Sequence, residues 1–258
     1  MQQQEKFKFP RTFHFPDSGS VGSDDKIFRD WEETLWGKPV EITWKMDGEN
    51  TTLYADGTVH ARSLDSKNHW SRDDLTSIWK AKGRYALPEG WRMVVENLTA
   101  VHSIEYKSLN SLYPCIAIID DKGMVYSSLD KEACAFLNCE LLADCGIVPV
   151  SAYGNPHAQE EIYSERHPNA FVLDHSLINT HLPSLRSQLQ EYSTCEGFVM
   201  RNALPFHVSE YSRNVVKWVR KGHVQTDKHW MYSSIKRNQL ELDSNGKPPK
   251  LSAKDWLG

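Results

Sequence analysis

The chain has 258 residues, of which 40% are hydrophobic and 25% charged, and this predicts a soluble globular protein of one large domain or two small ones. It has no long apolar run and it begins with polar residues, so we expect neither a transmembrane helix nor a signal peptide, but a cytoplasmic protein without a membrane partner. The net charge of −4 excludes a uniformly basic nucleic-acid-binding protein, so a polynucleotide partner would need a local basic face. Five cysteines without a CxxC pair indicate reduced thiols, not a disulfide framework or a zinc site.

The N-terminal segment predicts an extended arm, because it is rich in proline, glycine and serine and lacks periodicity. Two interpretations of this arm stay open. It is either a strap that buries Phe13 and Phe15 on the core, or a segment that brings Arg11 and His14 near a phosphate. A short helix with one apolar face is predicted next, at 27–35.

A strand is predicted at 40–45, where apolar and polar residues alternate. Lys45 is the last residue of this strand, on the face opposite to the apolar side chains, and Asp47 and Gly48 then predict a tight turn. A lysine in this position is either a solvated surface charge or a positioned nucleophile. The pattern of residues around it is compatible with both.

A hairpin follows, because Asp56 and Gly57 separate two β-rich runs. Its second strand returns Arg62 to the neighbourhood of Lys45, where a planar guanidinium would suit phosphate oxygens. An apolar strand then ends near Glu96, and a carboxylate in such a strand is costly to bury without a partner. Strands are predicted at 91–98 and 113–120.

Several helices are predicted, and we assign packing roles to most of them. The clearest is at 129–146, with Asp130 as its N-cap and Gly146 at its end. The others with this role are predicted from Ser71 onwards and at 156–165 and 183–192. A further helix, to which we assign no packing role, is predicted at 226–240.

The segment 211–237 carries seven lysines and arginines against one acid, interleaved with Trp218, Trp230 and Tyr232. Basic residues alternating with aromatic residues are typical of a surface that binds a single strand of nucleic acid. The alternative is a solvated basic face without a ligand. A polar C-terminal tail is predicted at 241–258.

Four segments resemble, in order and spacing, the motifs of the covalent nucleotidyltransferases, and of phage-type ATP-dependent RNA ligases in particular. The run KMDGEN at 45–50 resembles motif I, with Lys45 as the nucleophile. The runs WRMVVENL at 91–98, TCEGFVMR at 194–201 and VVKWVRK at 215–221 resemble motifs III, IV and V. The leader around Arg11 is also similar to that of some phage and bacterial RNA ligases.

This resemblance implies an α+β fold: an ATP-grasp-like nucleotidyltransferase core of antiparallel sheets flanked by helices, with the nucleotide pocket between the sheets. Residues 1–30 would form an arm packed on the core, 31–240 the adenylation domain and 241–258 the tail. Many relatives carry a helical RNA-engaging domain beyond motif V, and we expect no full domain of this kind in the present sequence. The contacts that bind RNA would then come from the core, the arm or a partner repair protein.

The resemblance also assigns roles to individual residues. Lys45 would be catalytic, and Glu196 would hold a metal ion directly or through water. Nearby cations, including Mg²⁺, would lower the pKa of Lys45 and free its lone pair. The nucleotide would be bound by Trp44, Asn50, Arg62, Glu96, Glu196 and Lys217, and phosphate or RNA contacts would come from Arg11, His102, Arg220 and Lys221.

The chain departs from the family pattern at three places. Trp44 replaces a glutamate that often precedes the nucleophile, and Val219 stands where a second motif V lysine is common, so that Arg220 or Lys221 would have to substitute. Ala117 and Ile118 occupy the strand that usually offers an aromatic ring to adenine.

The function implied is that of an RNA ligase that uses ATP and Mg²⁺ or Mn²⁺ to join the 3′-hydroxyl and 5′-phosphate ends of RNA. It would act as a monomer in the cytoplasm, or in the host cytoplasm if the protein is phage-encoded. A rival of the same superfamily seals DNA or hybrid nicks. A rival of another class is a non-catalytic module that binds RNA ends.

Overall fold

Two β-sheets and several short helices make up the described part of the chain, which in this computed structural model comprises residues 4–153, 163–191, 195–222 and 236–257. The strands are β1 (Phe13–His14), β2 (Pro39–Lys45), β3 (Glu49–Tyr54), β4 (Val59–Ala61), β5 (Arg92–Asn97), β6 (Tyr113–Ile119), β7 (Met124–Tyr126), β8 (Ile147–Pro149), β9 (Phe171–Val172), β10 (Gly197–Asn202), β11 (Phe206–His207) and β12 (Val215–Val219). The helices are α1 (Trp31–Leu35), α2 (Asp73–Ala81), α3 (Lys131–Cys134), α4 (Cys139–Asp144), α5 (Leu182–Glu191), α6 (Tyr211–Asn214) and α7 (Lys254–Leu257).

The first sheet has the order β1-β12-β10-β2-β9, and the second has the order β11-β7-β6-β5-β3-β4 with β8 beside β6. Neighbouring strands are antiparallel, except that β1 and β8 run parallel to their partners β12 and β6. The predicted α+β class with antiparallel-rich sheets is therefore confirmed.

The first sheet buries one face on α1 and α5. Val40 and Ile42 of β2 point into this core, where they join Trp31 and Leu185. The opposite face of β2 carries Glu41, which is only 1% exposed, because the second sheet covers this face. The alternation in the sequence identified the two faces correctly but not what covers the polar one.

The N-terminal arm packs on this sheet. Phe15 is fully buried, with its ring edge-on to Trp31 at a centroid distance of 4.7 Å, and Phe13 is partly buried. The strap interpretation is thus confirmed for Phe15. The helix predicted at 27–35 begins only at Trp31, because Ile27 forms a β-bridge with His14 instead.

Two glycines allow close approaches that the sheets require. Gly57 has a φ of +90° in the hairpin between β3 and β4, as the sequence predicted. Gly197 opens β10, where a Cβ atom would lie only 1.9 Å from the carbonyl oxygen of Trp218 on β12. The β10–β12 ladder therefore needs a glycine at this position.

The helix predicted at 129–146 is wrong as one element, because it is divided into α3 and α4. Asp130 caps the first by accepting from the amide of Ala133 at 3.1 Å, as expected. Asn138 interrupts the predicted helix, because its side chain caps the second helix by accepting from the amide of Leu141 at 3.0 Å. Gly146, with a φ of +76°, follows at the end.

The remaining helix predictions have mixed outcomes. α2 and α5 lie close to the predicted positions, each with an apolar face in the core. The helix predicted at 156–165 falls mostly outside the described residues, as does the first part of the one at 226–240. Residues 236–240 are described and are not helical.

The C-terminal tail ends in the core of the second sheet. Trp256 of α7 is 1% exposed and donates its indole N–H to the carbonyl of Ile147 at 3.2 Å. The five cysteines are all buried as free thiols. In the described ranges, we find no helix with the length and apolar character needed to cross a membrane.

Candidate active site

A cavity of about 650 Å³ lies between the two sheets. Because side chains alternate along a strand, every second residue of the central strands of the first sheet faces it. The second sheet and its hairpin contribute the opposite wall, and the arm contributes Phe9 and Arg11 at one side. The wall of the first sheet is formed by Glu41, Thr43, Lys45, Val199, Arg201, Val215 and Lys217; the opposite wall includes Asn50, Arg62, Glu96, His102 and Ile116.

Lys45 occupies one end of this cavity and is paired with Glu196. Its ammonium donates to Oε2 of Glu196, and the amide of Glu196 donates to the carbonyl of Lys45 at 3.2 Å. The cross-strand pairing of Gly197 with Lys45 produces this arrangement. The two motifs that resemble I and IV are therefore neighbours in space although 151 positions separate the two residues.

The charge environment of Lys45 differs from the expectation. Burial by itself would lower the pKa of the Lys45 ammonium, but the carboxylates of Glu196 and Glu96 outweigh burial and raise it above the ordinary value for lysine. The protein's own charges therefore act against the expected lowering of the Lys45 pKa, and the lowering by Mg²⁺ stays a prediction. Lys45 is a charged group that is ion-paired with Glu196.

Glu96 lies on β5 opposite Asn50 of β3. Burial raises the pKa of the Glu96 carboxyl to about 7, although Lys45 acts in the opposite direction. Its Oε1 accepts a hydrogen bond from the amide of Gly48 at 3.1 Å. Gly48 can approach so closely because it has no Cβ, which would lie 2.6 Å from the carbonyl oxygen of Asn97.

Asp47 holds the loop after β5 against the end of β2. Its Oδ2 accepts from the amides of Ser103 and Ile104 at 2.7 and 2.9 Å, and its own amide donates to the hydroxyl of Tyr106 at 2.9 Å. His102, which comes directly before Ser103 in this loop, lines the cavity. The sequence predicted only a turn at Asp47, because the partner amides are more than fifty residues away.

Positive charge collects at the same end of the cavity. Burial and the proximity of Lys45 lower the pKa of Lys217, whose ammonium lies 3.7 Å from Asp25 of the arm. Arg11 donates to Asp24 at 2.6 Å, and Arg62 lines the cavity nearby. An anionic ligand would meet several cations here.

Two polar atoms in this region suit such a ligand. Oδ1 of Asn50 and Nε of Arg62 are buried and have no hydrogen-bond partner among the described residues. An unpartnered buried polar group is costly, so its presence in a cavity indicates that a polar ligand completes the site. The donors and acceptors present are compatible with the sugar and phosphates of a nucleotide.

Other predicted site residues lie elsewhere. Arg220 is buried and donates its Nε to the carbonyl of Cys195 at 2.9 Å, and the amide of Lys221 donates to Gln190 at 3.2 Å. Neither is part of the cavity lining, and His14 is buried against Ser18 and Asp25. The substitution of Arg220 or Lys221 for the second motif V lysine stays a prediction.

The predictions for the aromatic residues also need corrections. Trp218 is buried and stacks on Phe198 at 5.8 Å, so it cannot offer a surface to nucleic acid. Lys228, Trp230 and Tyr232 of the predicted nucleic-acid-binding segment lie outside the described residues. Trp44 lines the cavity as expected, whereas Ala117 and Ile118 are buried in the core, and Ile116 is the β6 residue that faces the cavity.

Glu41 and Arg201 are among the cavity residues that were missed from the sequence. The alternation of β2 places Glu41 on the face of Lys45, but the role of a surface-type glutamate became visible only with the second sheet in place. As for metal sites, the described ranges hold no group of three histidine, cysteine or carboxylate side chains arranged around one ion. Glu196 as a metal ligand stays a prediction.

The comparison with family models gives one match. Residues 38–219 match the RNA ligase family, and this segment covers most of the chain and includes the strands that line the cavity. No curated protein matches the chain. Because the match extends over more than half of the chain, the chain belongs to the RNA ligase family.

Proposed function

We propose that the protein is an ATP-dependent RNA ligase that joins 3′-hydroxyl and 5′-phosphate ends through a lysyl-AMP intermediate on Lys45. Its core would be a nucleotidyltransferase domain with the nucleotide held between the two sheets. The observation that carries this proposal is that Lys45, Glu96 and Lys217 line one cavity in the segment that matches the family, with Glu196 hydrogen-bonded to Lys45.

In the first step, the neutral amine of Lys45 attacks the α-phosphate of ATP. A bond forms between nitrogen and phosphorus, the bond from the α-phosphorus to the bridging oxygen breaks, and pyrophosphate leaves. The ammonium must lose a proton before it can attack, and Lys45 must therefore leave its ion pair with the Glu196 carboxylate. Lys217 offsets negative charge as it develops on the phosphate.

The other cavity residues position the nucleotide. Glu96 would accept hydrogen bonds from the ribose hydroxyls, the unpartnered Nε of Arg62 would donate to phosphate, and Asn50 would contact phosphate through the N–H group of its side-chain amide. Glu196 would hold Mg²⁺ or Mn²⁺ together with phosphate oxygens and water, and such an ion supplies positive charge to the reacting phosphate. Magnesium sites of this type need only one or two protein carboxylates.

The second and third steps use RNA. AMP passes from Lys45 to the 5′-phosphate of an RNA end, and the 3′-hydroxyl of the other end then attacks that phosphate and releases AMP. Arg11 and His102, which line the cavity, are proposed contacts for phosphate or RNA. Arg220 and Lys221 remain proposed only for the adjoining surface. We further propose that the protein acts as a cytoplasmic monomer, with or without a partner repair protein.

The test is transfer of label from ATP labelled at the α-phosphate to the protein, after removal of any bound AMP with pyrophosphate. We expect label on the denatured wild-type protein and none on Lys45→Ala. Lys80→Ala, an exposed lysine on α2, is the matched control and should label normally. A Lys45→Ala variant that labels as well as the wild type would refute Lys45 as the nucleophile.

A second assay identifies the polynucleotide. Labelled protein is offered RNA, DNA or hybrid ends with 3′-hydroxyl and 5′-phosphate groups, and joined product is measured. Joining of DNA in preference to RNA would favour the nick-ligase alternative. Binding of RNA ends without labelling by ATP, GTP or NAD would favour the non-catalytic alternative.

A further inference from the structure

Two charged side chains meet at the end of the cavity opposite to Lys45. Glu41 of β2 and Arg201 of β10 are cross-strand partners, and they are only 1% and 6% exposed. One carboxylate oxygen of Glu41 accepts from the hydroxyl of Ser127. Arg201 donates Nε to the carbonyl of Asn202 and Nη1 to that of Tyr126, both at 3.2 Å.

Each of these side chains retains one atom without a partner. Oε1 of Glu41 and Nη2 of Arg201 are buried, and no described residue forms a hydrogen bond with either. Both residues line the cavity. Because an unsatisfied buried polar group is costly, and more so when it is charged, the pair points to a ligand that offers a donor to Glu41 and an acceptor to Arg201.

The distance from Lys45 suits the base of a nucleotide. Glu41 precedes Lys45 by four residues on the same face of β2, and four residues of a strand span about 13 Å. Between them, Val199 of the first sheet and Ile116 of the second line the cavity with apolar side chains. A flat ring between these two residues would present its edge toward Glu41 and Arg201.

We propose that Glu41 and Arg201 read the edge of the adenine base, which rests on the proposed function. Oε1 of Glu41 accepts from the exocyclic amino group, and Nη2 of Arg201 donates to a neighbouring ring nitrogen. Guanine carries a carbonyl oxygen where adenine has this amino group, so it would place one acceptor against another. The pair therefore supplies a base specificity that no aromatic residue on β6 provides.

The test combines a nucleotide that lacks the amino group of adenine with a protein variant that lacks the carboxylate of Glu41. Binding of ATP and of purine riboside triphosphate, which lacks the amino group, is measured by calorimetry for the wild type and for Glu41→Met. We expect the wild type to lose about 10- to 100-fold in affinity without the amino group, as for a hydrogen bond to a charged partner. Glu41→Met should bind both nucleotides equally. Glu33→Met, the same change at an exposed position of α1, should discriminate like the wild type.

The wild-type comparison needs no variant, so it stands even if Glu41→Met does not fold. Loss of affinity for either 1-deaza-ATP or 7-deaza-ATP would support the contact from Arg201 and identify the nitrogen. Equal wild-type affinity for ATP and purine riboside triphosphate, or full discrimination by Glu41→Met, would overturn the assignment. Amino-group dependence without label transfer would refute the proposed ligase function alone, whereas label transfer without amino-group dependence would refute the base assignment alone.

Discussion

The ammonium of Lys45 donates a hydrogen bond to the carboxylate of Glu196, so the proposed nucleophile and the proposed metal ligand form an ion pair. In the proposed function, this pairing keeps Lys45 protonated until ATP binds. We therefore expect a change at Glu196 to alter the acidity of Lys45 as well as the proposed binding of a cation.

The first prediction follows from this pair. Glu196→Gln should lower the pKa of Lys45 by about 1 to 3 pH units, because it removes a nearby opposite charge. The measurement is the pH dependence of Lys45 acylation by a water-soluble amine reagent, read by mass spectrometry. The acylation midpoint should move to lower pH in the variant.

Glu49→Gln is the matched control for this experiment. Glu49 also lines the cavity, but its carboxylate is bound to Arg72 at 2.6 Å. Its replacement should leave the acylation midpoint of Lys45 unchanged. An equal midpoint in Glu196→Gln and the wild type would contradict the inference that Glu196 holds the proton on Lys45.

The second prediction concerns Glu96, whose pKa of about 7 makes stability depend on pH. An ordinary glutamate in the unfolded chain has a pKa of about 4.3, so between these values the folded state binds the extra proton. The stability linked to this proton is present below about pH 4 and is lost as the pH rises toward 7 and above. Glu96→Gln cannot ionise, and its stability relative to the wild type should rise by about 2 kcal/mol from pH 5 to pH 8.

Urea unfolding at pH 5, 6, 7 and 8 measures this difference. Glu32→Gln, which changes an exposed carboxylate on α1, should show no such trend. A constant difference between Glu96→Gln and the wild type over this range would show that Glu96 keeps an ordinary pKa.

Much of the site was predictable because its parts are local. Lys45, Glu96 and Lys217 were assigned to the pocket because short runs around them resemble motifs I, III and V of a known family. Glu41 and Arg201 could not be found this way. Their meeting depends on the register between β2 and β10, which lie some 160 residues apart in the chain, and on the cover provided by the second sheet.

The fold shows the same division between local and distant information. The hairpin at Gly57 and the strands β2, β5 and β6 follow from short-range patterns. The interruption by Asn138 was missed because a side-chain cap competes with a helix that periodicity alone would continue. Burial of Trp218 and Trp256 was missed because a tryptophan in a polar segment does not reveal its distant partner.

The third prediction tests the contact between β10 and β12. Gly197→Ala should destabilise the protein by about 3 kcal/mol, because its Cβ would lie 1.9 Å from the carbonyl oxygen of Trp218. Gly37→Ala is the control, with a φ of +69° but no atom within 4 Å of a Cβ, and it should cost about 1 kcal/mol. The measurement is the free energy of unfolding in urea, and equal losses for the two variants would disprove the close approach.

The fourth prediction concerns the C-terminal tail. Trp256 fills the core of the second sheet and donates to the carbonyl of Ile147, and β8, which contains Ile147, pairs with β6 at the wall of the cavity. Trp256→Ala should therefore cost about 3 to 5 kcal/mol in the free energy of unfolding. Leu242→Ala, at a tail position that is 58% exposed, should change it by no more than about 0.5 kcal/mol. If the tail were only a polar appendage, as its composition predicted, both variants would unfold at the same urea concentration as the wild type.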